Sequence, residues 1–324
     1  MKRKFRFMFP LLLVALPLSG CTIISIKDED DSESGTIIVD NFYKDYNLKK
    51  TGGRLIQELQ RMCWDKHTNW ITYSQTWSYF AKTDDRNSVD AISDGSEKVE
   101  LFYTGAEKLP QRSYTYNREH VWPCANSSTL WTHDKPDAGS FSPHYVDYTY
   151  YVGGGSDLLH LRPANDAVNE GRGNSLFVDF DDPECVSYKD NIIEKTESGG
   201  KYPLYLYGSD SFATRAEPHD KMKGDVARIV LYVYVHYQER GDTPEKSVIS
   251  GGKEYKYSDM TGTLSLRNIM GYETEERCLE VLQAWNKLDP PSSVEKLRND
   301  TVQKIQGNRN PFVDYPELVD RICE

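Results

Sequence analysis

Tyr116-Asn117-Arg118-Glu119-His120-Val121-Trp122-Pro123 and Ser156-Asp157-Leu158-Leu159-His160-Leu161-Arg162-Pro163-Ala164 are the two stretches on which the reading of this chain turns. The second runs on as Asn165-Asp166-Ala167-Val168-Asn169-Glu170-Gly171-Arg172-Gly173-Asn174. The first sets a cation, a carboxylate and an imidazole in a row before a stiff Trp-Pro pair. Histidine is the side chain that titrates near neutral pH, which suits it to general-base work. Glu119 offers a hard oxygen of the kind magnesium and calcium accept. If the stretch is extended, Glu119 and His120 face opposite ways and cannot both point at one atom. A bend there would still let them flank a phosphate.

The second stretch carries Arg162 and Arg172, planar cations suited to clamping phosphate. Residues 163–172 read as a short helix opened by Pro163, since proline is favoured in a first turn. On such a helix Asn165 and Asn169 share a face at i and i+4, and an asparagine oxygen is a neutral metal ligand. Each stretch alone has a plain structural reading: a surface strand with scattered charges, and a helix whose Asn residues cap it and whose Arg residues pair with acids.

Outward from these stretches, apolar residues at helical spacing predict helices over 53–66, 219–238, 275–288 and 293–305, with Pro290-Pro291 as a break. Lys98 to Tyr103 reads as a strand. Residues 124–156 read as a long polar and aromatic loop ending in Gly153-Gly154-Gly155, and 176–218 as irregular with a turn at Gly199-Gly200. Helices outnumber strands and do not alternate with them, so the expectation is an α+β fold in one mostly helical domain. A chain of 324 residues, 38% hydrophobic with 22 Tyr and 11 Phe, can bury a core without staples.

The N-terminus reads as a targeting segment. Lys2, Arg3, Lys4 and Arg6 precede the apolar run Phe7 to Leu18, which is too short to span a bilayer. It ends in Leu18-Ser19-Gly20-Cys21, which resembles the lipobox of bacterial lipoproteins. That resemblance implies removal of residues 1–20 and acylation of Cys21, anchoring the chain to the outer membrane or cell surface. Residues 21–50 then form an acidic tether, with Asp28-Glu29-Asp30-Asp31-Ser32-Glu33 at its centre, and the folded domain is 51–324. The net charge of −11 argues mildly against nucleic acid as a partner, because affinity for phosphates comes largely from Lys and Arg. A local basic cleft remains compatible with it. Cys63, Cys124, Cys185, Cys278 and Cys323 remain. Export makes disulfides plausible, with one thiol left over, while Cys63 and Cys278 fall on apolar helix faces.

Together the two stretches resemble the endonuclease I family, whose members belong to the His-Me finger (ββα-metal) nucleases. Tyr116 to Pro123 is similar to its catalytic strand, and Ser156 to Asn174 to its metal helix. Lys223-Gly224-Asp225-Val226-Ala227-Arg228 and Gln306-Gly307-Asn308-Arg309-Asn310-Pro311-Phe312 are further similar segments. The resemblance implies a ββα-metal core within 51–324. It also implies an endonuclease that cuts phosphodiester bonds of DNA, and often RNA, with little sequence preference.

By that resemblance His120 is the general base, and Glu119 and Asn169 hold one magnesium ion, with calcium or manganese as substitutes. Arg162 and Arg172 are candidates to stabilise the phosphate, and Arg118, Asn165, Asn174 and Arg309 to bind substrate. A monomer is expected. Many relatives carry His where Leu159 stands, which puts rate or support in doubt. A second reading is therefore a surface lipoprotein that binds nucleic acid with weak turnover. A third is a phosphoesterase for small esters, with a closed pocket in place of a groove. His133 and His144 with Asp134 and Asp137 read as a solvated loop. His236 reads as a packed histidine, and Tyr148 to Tyr151 as a core strand or a base-stacking run.

Overall fold

Leu55, Leu59, Met62 and Cys63 recur at helical spacing and are all buried on α1 (Gly52–Lys66). The chain is described from a computed structural model covering residues 41–85, 98–109, 116–126, 152–209, 212–239, 247–250 and 253–324. Cys21, most of the tether, His133, Asp134, Asp137, His144 and Tyr148 to Tyr151 lie outside these residues. In chain order, α1 is followed by α2 (Thr76–Thr83), β1 (Val99–Glu100), β2 (Glu107–Lys108), β3 (Tyr116–His120), β4 (Leu161–Asn165) and α3 (Asp166–Arg172). Next come β5 (Leu176–Phe177), β6 (Ile192–Lys195), β7 (Leu204–Ser209), β8 (Phe212–Pro218) and α4 (Asp220–Tyr237). The rest comprises β9 (Ser247–Ser250), β10 (Lys253–Lys256), α5 (Tyr257–Met260), α6 (Glu275–Leu288), α7 (Ser293–Gln306), α8 (Pro311–Asp314) and α9 (Leu318–Ile322). Helices hold more residues than strands, and the sheets are small, as an α+β domain requires.

α4 is the axis of the core. Val226, Ala227, Val230, Leu231, Tyr232, Val233, Val235 and Tyr237 are all fully buried, around its whole circumference. A helix apolar on every side must be enclosed. α1 and α6 pack against it. Its first turn meets the end of α6 so closely that a Cβ on Gly224 would stand 1.8 Å from the Asp289 carbonyl oxygen. The Gly224 amide donates to the Asp289 carboxylate at 3.1 Å, and Arg228 donates to the Asp289 carbonyl at 2.8 Å.

Two expectations are corrected. Residues 163–172 are not one helix. Leu161–Asn165 is a strand paired antiparallel with β3, with Pro163 opposite Arg118, and the helix begins at Asp166. Proline lacks an N–H, but only its carbonyl is used here, accepting from the Phe102 amide at 2.7 Å. Asn165 is the N-cap, its Oδ1 accepting from the Val168 amide at 3.0 Å, so Asn165 and Asn169 do not share a helix face.

Residues 176–218 are not irregular: they form a four-stranded sheet in the order β5-β8-β7-β6, with β5 parallel to β8 and the other pairs antiparallel. Leu204 and Leu206 point inward and Tyr205 and Tyr207 are half-exposed, a period-2 pattern that defines a one-sided strand. The predicted strand over 98–103 shrinks to β1 and a bridge from Phe102 to Ala164. Cys63, Cys185, Cys278 and Cys323 are thiols, and Cys63 and Cys278 are core residues as expected.

The β3–β4 pair is tied to the C-terminal helices by a buried ion triad. Asp84, at the end of α2, accepts from Arg162 of β4 and Arg298 of α7, each at 2.9 Å. Arg298 also donates to the Leu161 carbonyl at 3.1 Å. The two guanidiniums outweigh the desolvation that would raise the Asp84 carboxyl and hold it below the usual carboxylate range.

Asp84→Ala would strand two inward-facing cations and should lower stability by about 3–5 kcal/mol in urea unfolding. A folded-state carboxyl held below its unfolded value stabilises above that value, about 3.9. The gap between wild type and Asp84→Asn should thus stay full above about pH 4 and narrow as pH falls further. Gly224→Ala should cost about 2–3 kcal/mol by overpacking, read from the same unfolding curves. A silent variant would show that α4 and α6 can separate.

Candidate active site

β3, β4 and α3 form a continuous ββα unit. The strands pair in the register Tyr116↔Asn165, Glu119↔Arg162 and His120↔Leu161, and α3 starts where β4 ends. Alternate residues of a strand share a face. Asn117 is the hydrogen-bond partner of the Asn169 amide nitrogen, and Glu119 lies 3.5 Å from the Arg172 guanidinium. Asn169 and Arg172 both belong to α3, so Asn117 and Glu119 face that helix. His120 faces the other side. Its Nε2 lies 2.9 Å from the Gly155 carbonyl oxygen, and its ring stacks on Tyr73 at 5.7 Å between centroids. The Glu119 and His120 side chains therefore project to opposite sides of β3.

Glu119 is almost wholly buried. Its Oε1 accepts from the Tyr103 hydroxyl at 2.6 Å. Burial pushes its carboxyl up, with Arg172 and the Tyr103 hydroxyl opposing in part. A carboxylate in that position is short of positive charge. Together with the half-buried Asn169 amide it makes a hard-oxygen donor set, and this combination fits a magnesium- or calcium-type cation. Tyr103 was not found by sequence reasoning. Among the described non-glycine residues, Tyr103 has the positive φ, 67°. That left-handed conformation swings its ring between Phe102 and Phe177 and brings the hydroxyl to Glu119. Nothing in Leu101-Phe102-Tyr103-Thr104 signals it.

His160 was also passed over, and it neighbours His120 with ring centroids 5.8 Å apart. Its Nε2 accepts from the Trp122 amide at 2.9 Å and its Nδ1 donates to the Gly154 carbonyl at 2.7 Å. Consecutive carbonyls of the glycine turn thus hold two imidazoles. A carbonyl can only accept, so the His120 contact is an Nε2–H donation, and Nδ1 is the basic nitrogen of the neutral ring. Burial, then His160, Arg118 and Arg172, push the His120 imidazole well below its ordinary value. The imidazole is therefore neutral at neutral pH. Leu159, whose identity raised doubt, is a core residue whose amide donates to Asp157 at 2.8 Å.

The arginines are more engaged than their sequence implied. Arg172 is 1% exposed and donates to the Val121 carbonyl at 2.6 Å and the His120 carbonyl at 3.3 Å, which fixes the end of β3. Arg162 is held by Asp84 and stacks on Phe102. Arg309 pairs with Asp300 and Asp314, each at 2.6 Å, on α7 and α8. Arg118 lies on the His120 side of β3, its guanidinium 3.4 Å from the Tyr73 ring centroid. Asn165 also donates to Glu197 at 3.0 Å, and Asn174 is exposed just past α3. The structure thus gathers His120, Arg118, Glu119, Asn169 and Arg172 around the end of β3 and leaves Arg309 elsewhere.

Among known proteins, the Endonuclease I family matches residues 46–317. An extracellular ribonuclease of Bacillus amyloliquefaciens is 33% identical over 291 residues, covering 87% of this chain and 78% of its own. An extracellular ribonuclease of Bacillus subtilis (strain 168) is 32% identical over 280 residues, covering 84% of this chain and 75% of its own. The match takes in the ββα unit, the buried α4 and the α7–α8 segment alike, so this chain belongs to the endonuclease I family of nucleases.

Proposed function

We propose that this protein is an exported, metal-dependent endonuclease that hydrolyses phosphodiester bonds of RNA and DNA with little sequence preference. The observation that carries this reading is the neutral His120 next to the buried Glu119 at the end of a ββα unit whose helix presents Asn169. Both relatives named above are extracellular ribonucleases, which favours RNA as a substrate and export as the location. Cys21 would carry the acyl anchor.

His120 takes the proton of the attacking water at Nδ1, its ring held by Gly155 and Tyr73. Glu119 and Asn169 would hold the divalent cation on the α3 side, with Tyr103 and Asn117 orienting their side chains. When bound, such an ion supplies charge to the phosphate and to the leaving oxygen. Because β3 ends at His120, a phosphate lying across that end is reachable from both faces of the strand. Arg118 stands on the His120 face, stacked on Tyr73 and donating to the Tyr73 carbonyl, and would bring positive charge to a phosphate there. Arg172 acts on the strand, holding the carbonyls of His120 and Val121 in place.

His120→Ala should lower cleavage of plasmid DNA and of RNA about 10²–10⁴-fold while the thermal unfolding curve stays in place. Turnover equal to wild type would remove His120 as the base. Glu119→Gln should raise the magnesium concentration needed for half-maximal activity by about tenfold, the loss expected from one ligand contact of about 1.4 kcal/mol. A magnesium titration superimposable on wild type would exclude Glu119 as a ligand.

A further inference from the structure

The left-handed backbone of Tyr103, φ 67°, sets its Cβ against the following carbonyl oxygen, a clash that glycine avoids. Such a strained position persists only where its surroundings fix it. Here they do. The Phe102 amide donates to the Pro163 carbonyl at 2.7 Å, and the Thr104 carbonyl accepts from the amides of Lys201 and Tyr202 at 2.7 and 3.1 Å. Within the turn, the Leu101 amide donates to the Ala106 carbonyl at 2.7 Å and the Gly105 amide to the Leu101 carbonyl at 2.8 Å. The backbone is thus pinned to β4 on one side and to the segment before β7 on the other. A glycine would take this conformation with less strain. What the tyrosine adds is a buried ring and one hydroxyl, and the hydroxyl donates to Glu119 Oε1 at 2.6 Å.

The atoms engaged in this way define the atoms left over. The Arg172 Nη1 contact also falls on Glu119 Oε1, at 3.5 Å. Among the described residues nothing donates to Oε2. Two positions back on the same face of β3, Asn117 treats the Asn169 amide likewise. Its Oδ1 accepts from Asn169 Nδ2, which also reaches the Arg118 carbonyl at 3.5 Å. Both partners are acceptors, so turning the amide over would set oxygen against oxygen. Asn169 Oδ1 meets no donor among the described residues. One carboxylate oxygen and one amide oxygen are therefore left over, on the two residues that the ββα unit offers to a cation.

We propose that, given Glu119 and Asn169 as the ligands of the function proposed above, Tyr103 and Asn117 are positioning residues that preset the cation site. Each occupies one polar atom of a ligand side chain and so reserves the other, Glu119 Oε2 or Asn169 Oδ1, for the ion. Neither touches the metal or the substrate. The left-handed turn at Tyr103 then has a use: it delivers one hydroxyl to one carboxylate oxygen. Partners that orient ligands in this way change metal affinity about 10–100-fold when removed.

The test is a manganese(II) titration of the full chain, read from the electron paramagnetic resonance signal of the free ion, with manganese as the probe of a magnesium-type site. Tyr103→Phe keeps the ring and removes the hydroxyl, and Asn117→Ala removes the acceptor. Each should weaken manganese binding about 10–100-fold. RNA cleavage should be lost at low manganese and recovered at high, with KM for RNA at saturating manganese unchanged. A merely structural role would instead lower the melting temperature of the metal-free chain and leave the affinity of the folded fraction as it was. An isotherm of either variant that superimposes on wild type, while Glu119→Gln weakens binding, overturns the proposal and leaves the ligands in place. Wild type that binds no manganese, or Glu119→Gln that binds it as tightly as wild type, removes the ligands themselves, and the proposal falls with them. Should Tyr103→Phe not fold, Asn117→Ala decides by the same isotherm.

Discussion

The buried Asp157 carboxylate is the fixed point of this structure. It receives the Leu159 amide, the Gln306 amide nitrogen and the hydroxyls of Tyr232 and Tyr237. Those donors come from its own turn, from α7 and from α4. An ionised carboxylate is costly to bury unless its lone pairs find donors; burial pushes this one up, but His236, His67 and Gln306 outweigh it and hold the carboxyl well below the usual carboxylate range. Through this one group the turn that leads into β4 is bolted to the central helix. His160, three residues on, then reaches the Trp122 amide and the Gly154 carbonyl. The positions of the glycine turn, the end of β3 and the His120 ring follow in sequence from that anchor. The Ser-Asp-Leu-Leu-His run thus serves as wiring for the site more than as part of its chemistry.

Cations obey the same rule. Read as sequence, Arg162, Arg172 and Arg309 resemble phosphate clamps. Folded, each is spent on an internal acceptor: a carboxylate, two strand carbonyls, or a carboxylate pair. A planar guanidinium matches a carboxylate as well as it matches a phosphate, so residue type alone cannot separate the two uses. Arg118 differs in its partners: its guanidinium donates to the Tyr73 carbonyl and lies against the Tyr73 and Trp77 rings, neutral groups that support a cation without cancelling its charge.

The helices were legible because their signal is local. Leu55, Leu59 and Met62, or Val226, Val230 and Val233, repeat within a few residues and need no distant partner to define a face. The sheet over 176–218 was not, since β5 joins β8 from across that segment and the outer face of β7 is half-exposed tyrosine. Pro163 misled for a related reason: its first-turn preference is real, but pairing with β3 and the Phe102 bridge decides the backbone there. In the candidate site, Glu119, His120 and Asn169 stood out as a motif. Which side of β3 each occupies depends on α3 docking, and the Tyr103 support depends on a left-handed backbone that no local pattern announces.

The contacts described here join opposite ends of the chain with unusual regularity. Tyr43 bonds Asp314, the Thr68 and Asn69 amides both bond the Gln306 carbonyl, Asp84 holds Arg298, and Asp157 holds Gln306. Loop-closure entropy must be met before such distant contacts can repay it. The ββα unit near mid-chain therefore has no finished support until α7 and α8 have been made. During synthesis the candidate site residues of the ββα unit emerge long before the segment that locks them, and the nascent chain carries that unit unsupported until α7 and α8 follow.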